Sequence, residues 1–177
     1  MAPSQAPPLA AGTQAPSFTL NVTPDQRLTL EDCSGNPVVL VFYPADWSPV
    51  CSDELAVFNE LLPELKQLRA NVLAISVDSA WCHAAFARDR KLHMPLLADF
   101  EPKGRVSRAF RAYREEEGVS DRVLYVLDGE GKVFWSYRSP VGVNPGADGV
   151  LEALERLNAQ SGGRASPAPG QEARVPS

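Results

Sequence analysis

PVVLVFYPADWSPVCSDEL, residues 37–55, is the stretch from which the fold can be read. Its first part, from Val38 to Tyr43, is a run of β-branched and aromatic residues with no polar alternation. Such a run reads as a strand buried on both faces. Pro44 breaks it. Ser48 then offers an N-cap, and Pro49 a first helical residue whose φ is already set. Cys51 therefore falls in the first turn of a helix, where unpaired backbone N–H groups and the positive end of the macrodipole favour a thiolate. A cysteine at a strand–loop–helix junction is a candidate nucleophile.

Outward from this junction the chain alternates elements. Upstream, residues 17–20 and 27–30 alternate apolar and polar side chains around the turn-forming TPDQ, which predicts an N-terminal β-hairpin. Downstream, Leu55, Phe58, Leu61, Leu62, Leu65 and Leu68 make a helical stripe, with Pro63 expected to kink it. Residues 71–77 (NVLAISV) form a second buried strand, and Asp78 or Ser79 caps a helix reaching about Lys91. A short extended piece at residues 96–98 and a helix over residues 103–113 follow. Arg122 opens a strand over residues 123–127, and DGEG turns it back into residues 133–137. Val150, Leu151, Leu154 and Leu157 mark a final amphipathic helix. The order predicts an α/β fold, a mixed central sheet flanked by helices on both faces. The domain is bounded at residues 12–160, with a Pro- and Ala-rich flexible arm over 1–11 and a disordered tail over 161–177.

Composition narrows the function. At 177 residues and 44% hydrophobic content the chain makes one domain with a real core. A net charge of −5 shows no basic stripe and argues against a nucleic-acid or anionic-membrane partner. No apolar run nears the roughly 20 residues that span a bilayer. The N-terminus lacks the basic and apolar regions of a secretory signal. Three cysteines at irregular spacing make no disulfide framework. A cytoplasmic protein with reduced thiols is expected, and that compartment suits a redox-active thiol. His83 and His93 stand alone, and Cys82–His83 lacks zinc spacing, so neither metal nor cofactor is expected.

A strand, an aromatic residue, a loop and a helix with cysteine in its first turn make the thioredoxin arrangement. A dithiol enzyme would carry C-x-x-C there. This chain carries Ser48-Pro49-Val50-Cys51, so no local disulfide can close. PADWSPVC, residues 44–51, resembles P-x-x-x-[S/T]-x-x-C, the active-site motif of the peroxiredoxins. The stretch after it is similar to their bacterioferritin-comigratory and related bacterial branches, with Glu54 three residues past the cysteine. ISVDS (75–79), PLLADF (95–100) and RVLYVLDGEGKV (122–133) match further, and the resemblance spans residues 12–160.

The resemblance implies a thioredoxin-like fold, a hydroperoxide substrate and a thioredoxin or glutaredoxin-type reductant, with the chain a monomer or homodimer. It also implies that Cys51, Arg122, Ser48 and Pro44 form the peroxidatic set. Each suits the chemistry. A thiolate must exist at neutral pH although free cysteine titrates at about 8.5. Arg122 stays charged and can contact sulfur and peroxide together. Ser48 can orient the peroxide, and Pro44 can wall off the sulfur. Glu54 supports the site at most. Some relatives carry a resolving cysteine five residues after the first, but Ala56 stands there. Cys82, at the start of the next helix, is the candidate resolving thiol; a packed thiol on the face of Phe86 is the alternative. A Cys51–Cys82 disulfide needs Cα atoms within about 7 Å, so both helix starts must loosen. Cys33 is expected to be structural or incidental. Trp47 and Trp81 are expected to pack around the site. The rival function is a thioredoxin-like binding module or thiol-dependent chaperone without turnover.

Overall fold

The computed structural model describes residues 5–162. Its first strands, β1 (Thr19–Asn21) and β2 (Arg27–Thr29), form the expected hairpin, with Thr19 opposite Thr29. A 3-10 turn (Leu30–Cys33) leads to the central strand β3 (Val38–Phe42). Then come α1 (Pro49–Glu60), α2 (Leu62–Gln67), β4 (Asn71–Ser76), α3 (Ala80–Arg90) and β5 (Leu96–Ala98). The short α4 (Arg105–Ala109) precedes a two-stranded ribbon, β6 (Tyr113–Arg114) with β7 (Val119–Ser120). The chain closes with β8 (Val123–Leu127), β9 (Val133–Arg138) and α5 (Asp148–Ser161).

Seven strands form one mixed sheet in the order β2-β1-β5-β4-β3-β8-β9. Every residue of β3 is buried. Side chains alternate across a strand, so Val39 and Val41 enter the layer of Leu55, Phe58, Leu65 and Leu154, while Leu40 and Phe42 enter the layer of Val106, Phe110 and Tyr125. Leu40 and Phe42 are fully enclosed; burying such a side chain contributes about 1.5–3 kcal/mol. The expected core strand is thus the centre of both layers.

Register places the site. β4 runs parallel to β3 and β8 antiparallel, so Phe42 stands opposite both Ile75 and Val123. The end of β3, the end of β4 and the start of β8 therefore share one sheet edge. That edge carries the start of α1, the start of α3 and Arg122.

Three local readings change. Pro63 does more than kink the long helix: it splits the stripe into α1 and α2 with a break at Leu61, because proline cannot donate to the preceding turn. The helix expected over residues 103–113 shrinks to α4, and Tyr113–Arg114 pairs as a strand instead, since Arg111 adopts a left-handed φ of 55° that ends the helix. Part of the arm expected over residues 1–11 is tied down: Leu9 is buried, its N–H donates to the Tyr125 hydroxyl at 2.9 Å, and Arg138 donates to the Ala6 carbonyl at 2.8 Å. Residues 1–4 of that arm and 163–177 of the expected tail lie outside the described residues. No helix among the described residues is long and apolar enough to cross a membrane.

Candidate active site

Ser48 caps α1 as expected, in extended backbone with φ −65° and ψ 137°. Its Oγ accepts from the Cys51 backbone N–H at 3.5 Å. Cys51 is 0% exposed, two residues inside the helix. Arg122 reaches it from the residue before β8. The guanidinium is buried, and its three nitrogens divide their work. Nη2 donates to the Cys51 Sγ at 3.3 Å, Nη1 donates to Glu54, and Nε donates to the Val141 carbonyl at 3.0 Å. A surface arginine beside Asp121 would look different. Here Asp121 is bound by Arg138 at 2.9 Å instead, which leaves Arg122 to Glu54 and the sulfur.

Glu54 follows Cys51 by three residues, so both lie on one side of α1. Its carboxyl is 0% exposed, and Oε1 has no protein partner among the described residues. Burial raises its pKa to about 7, although the charge and hydrogen bond of Arg122 pull the other way. For Arg122, burial acts to lower the pKa, but Glu54 and Cys51 outweigh it and the group is held charged. A carboxyl whose folded pKa is raised binds a proton more readily folded than unfolded. Its stabilising contribution is present below pH about 4.5 and is lost as pH rises through about 7. Glu54→Gln cannot titrate. Its stability relative to the parent should therefore improve between pH 5 and 8, by on the order of 1–3 kcal/mol in urea unfolding. A difference that stays flat with pH would contradict this.

The turn that delivers Ser48 is strained. Trp47 sits in the left-handed region at φ 69°, uncommon for a bulky residue and costing on the order of 1–3 kcal/mol. Its ring packs edge-on against Phe86 at 5.1 Å and is 46% exposed. Pro44 is half-buried in the same loop.

Among protein families, the AhpC/TSA family model matches residues 11–136. The chain belongs to that family. It is a peroxiredoxin with a thioredoxin-like fold, and hence an enzyme, a thiol-dependent peroxidase. It is 36% identical over 124 residues to alkyl hydroperoxide reductase E of Mycobacterium bovis, covering 70% of this chain and 81% of that one. A peroxiredoxin of Thermoplasma volcanium is 29% identical over 156 residues, 85% of this chain and 75% of its own. Among solved structures, the peroxidoxin BcpB of Mycobacterium tuberculosis superposes with a TM-score of 0.75 at 30% identity, covering 83% and 97%. These relatives do not favour the binding module or chaperone without turnover.

The rest of this peroxiredoxin's site edge belongs to α3. Cys82 lies in its first turn, half-buried and free, its N–H held by the capping Ser79 at 3.2 Å. It makes no hydrogen bond to the Cys51 group among the described residues; its Sγ lies 4.0 Å from Asp78 Oδ1. Burial, with Asp46 and Asp78 close by, pushes its thiol up to about 11. On α3 it is His83, rather than Cys82, that is fully buried together with Phe86. Trp81 does not pack around the site as expected: it is 75% exposed. Cys33 is buried at the opposite sheet edge, where burial and Asp32 raise its pKa.

Two residues at this edge escaped sequence reasoning. Asp46 is buried and accepts from the Tyr43 hydroxyl at 2.7 Å, while its other oxygen meets His83 Nδ1 at 2.7 Å. His83 had looked like an isolated histidine. The signal that could have found it is its three-residue spacing from Phe86, which puts both on one helix face.

Proposed function

We propose that Cys51 is the peroxidatic cysteine, acting on hydrogen peroxide or small organic hydroperoxides. The sulfur anion attacks one peroxide oxygen in line. The S–O bond forms as the O–O bond breaks, and the second oxygen leaves as hydroxide or alkoxide, taking up a proton. Cys51 is left as a sulfenic acid. The observation that carries this reading is the buried 3.3 Å contact between Arg122 and the Cys51 sulfur. A fixed positive group beside the nucleophile stabilises charge on sulfur and then on the separating oxygens, in a site closed to water.

Ser48 already accepts from the Cys51 N–H, so its own proton can be offered to an incoming oxygen. Pro44 walls the sulfur on the loop side, and Glu54 holds the guanidinium in place. Ser48→Ala loses both the cap and the peroxide donor. It should lower the peroxide rate roughly 10- to 100-fold and stability by about 1 kcal/mol. Ser48→Thr should restore both. Loss of stability alone would contradict the assigned role.

The sulfenic acid then condenses with Cys82, releasing water and forming a disulfide that a thioredoxin or glutaredoxin-type donor reduces. The raised pKa of Cys82 keeps this thiol protonated, and so unreactive, until the helix starts loosen. A reducing cytoplasm suits this cycle, with the enzyme a monomer or homodimer. Mass spectrometry after one equivalent of peroxide tests the second half. A Cys51–Cys82 disulfide supports it; oxidised Cys51 with Cys82 still free points to an external thiol. Peroxide consumption driven by a thioredoxin system tests the whole cycle.

A further inference from the structure

Cys51 is 0% exposed. Its sulfenic acid therefore cannot meet a second thiol until the loop before it and the first turn of α1 move. What holds that loop is buried and polar. Asp46 is anchored twice: its backbone N–H donates to Asp78 Oδ2 at 2.9 Å, and its carboxylate is held by Tyr43 and His83, each at 2.7 Å. His83 is 1% exposed; its Nε2 lies 3.1 Å from the Leu97 carbonyl and its Nδ1 2.7 Å from an Asp46 oxygen, so the two contacts together hold one proton more than a neutral ring and a carboxylate carry. One imidazole thus ties the loop of Cys51 to α3 and β5. Hydrogen bonds involving a carboxylate are the strong kind. Neither His83 nor Asp46 hydrogen-bonds to Cys51, Ser48, Glu54 or Arg122 among the described residues, so the peroxide step does not use them.

We propose that His83 is a positioning residue, a latch that holds the Cys51 loop closed through Asp46 and so sets how long the sulfenic acid stays hidden from thiols. The inference rests on Cys51 being the peroxidatic cysteine. Two reactions compete for the sulfenic acid. A thiol attacks the sulfur, forming an S–S bond and releasing water. Alternatively, the sulfenic sulfur takes an oxygen from a second hydroperoxide, giving sulfinic acid and releasing water or the alcohol. Peroxide is small enough to enter the closed site, whereas a thiol needs it open. A tight latch therefore favours overoxidation, and a loosened one favours disulfide formation.

The ring nitrogens allow the latch to be cut selectively. His83→Asn keeps an amide donor at the Nδ1 position, facing Asp46; His83→Gln keeps one near Nε2, facing Leu97, and drops Asp46. Both are made in the Cys82→Ser protein, so that only an added thiol competes. The reduced protein receives one equivalent of hydrogen peroxide, and capture of the sulfenic acid by thionitrobenzoate is timed. His83→Gln should speed capture about tenfold and lower the sulfinic yield at excess peroxide by a similar factor. Its rate of reaction with peroxide should stay within about twofold of the parent, because the closed form still predominates. His83→Asn should behave like the parent. Tyr43→Phe, which removes a hydrogen bond to the same carboxylate, should speed capture about threefold.

Unchanged capture in His83→Gln, equal behaviour of Asn and Gln, or a peroxide rate that falls with capture would each overturn the latch. If the parent itself forms no sulfenic acid at Cys51, the reading of the site fails as well, and this outcome is distinct from the others.

Discussion

Arg122→Gln is expected to slow the reaction of the reduced enzyme with peroxide by roughly 10²–10³-fold. Three nitrogens of this side chain are committed: to the Cys51 sulfur, to Glu54 and to the Val141 carbonyl. Glutamine keeps a donor but removes the charge and the fork, so one group no longer touches both sulfur and peroxide. The same change leaves Glu54 buried without its cation, which costs about 3–5 kcal/mol. A lost rate could then be mistaken for a lost fold. The double variant Arg122→Gln with Glu54→Gln separates the two, because it removes both charges together. It should recover most of the stability and little of the rate. If the double variant regains the rate, the arginine is structural and the electrostatic account is wrong. Arg122→Lys should fall in between, since a single ammonium cannot span sulfur and carboxylate together.

Cys51→Ser should reduce turnover to the background of a free thiol, a loss on the order of 10³-fold or more. The two remaining cysteines cannot substitute. Cys33 lies at the far sheet edge, and Cys82 has its thiol pushed up to about 11, so little of it is anionic at neutral pH. Cys82→Ser should leave the first turnover intact and abolish the intramolecular disulfide. A Cys51→Ser protein that still consumes peroxide at the parent rate would move the nucleophile elsewhere.

The core strand and the S-x-x-C junction were legible because each is a local pattern with one physical meaning, whereas Arg122, a strand-opening arginine beside Asp121, was legible only through the family resemblance. A six-residue apolar run flanked by turn formers leaves β3 little choice. A serine followed by a proline starts a helix, and the contact of Arg122 with Cys51 follows once β8 runs antiparallel to β3. The residues that stayed hidden owe their roles to distant partners. Asp46 and His83 are 37 positions apart and meet only because β3 and β4 are parallel neighbours. Glu54 was visible three residues past Cys51, but its burial against Arg122 depends on β8, 68 positions away. The short ribbon of β6 and β7 was missed for a related reason. Arg111 enters the left-handed region without a glycine to signal it, so a helical pattern ends where the sequence shows no stop.

The most direct test is stopped-flow mixing of the reduced enzyme with one equivalent of hydrogen peroxide, followed by mass spectrometry of the product. The second-order rate should be on the order of 10³-fold or more above that of a free thiol. The first oxygen, or the disulfide that follows, should be found at Cys51. A rate no faster than a free thiol, or oxidation that starts at Cys33 or Cys82, would contradict Cys51 as the peroxidatic cysteine.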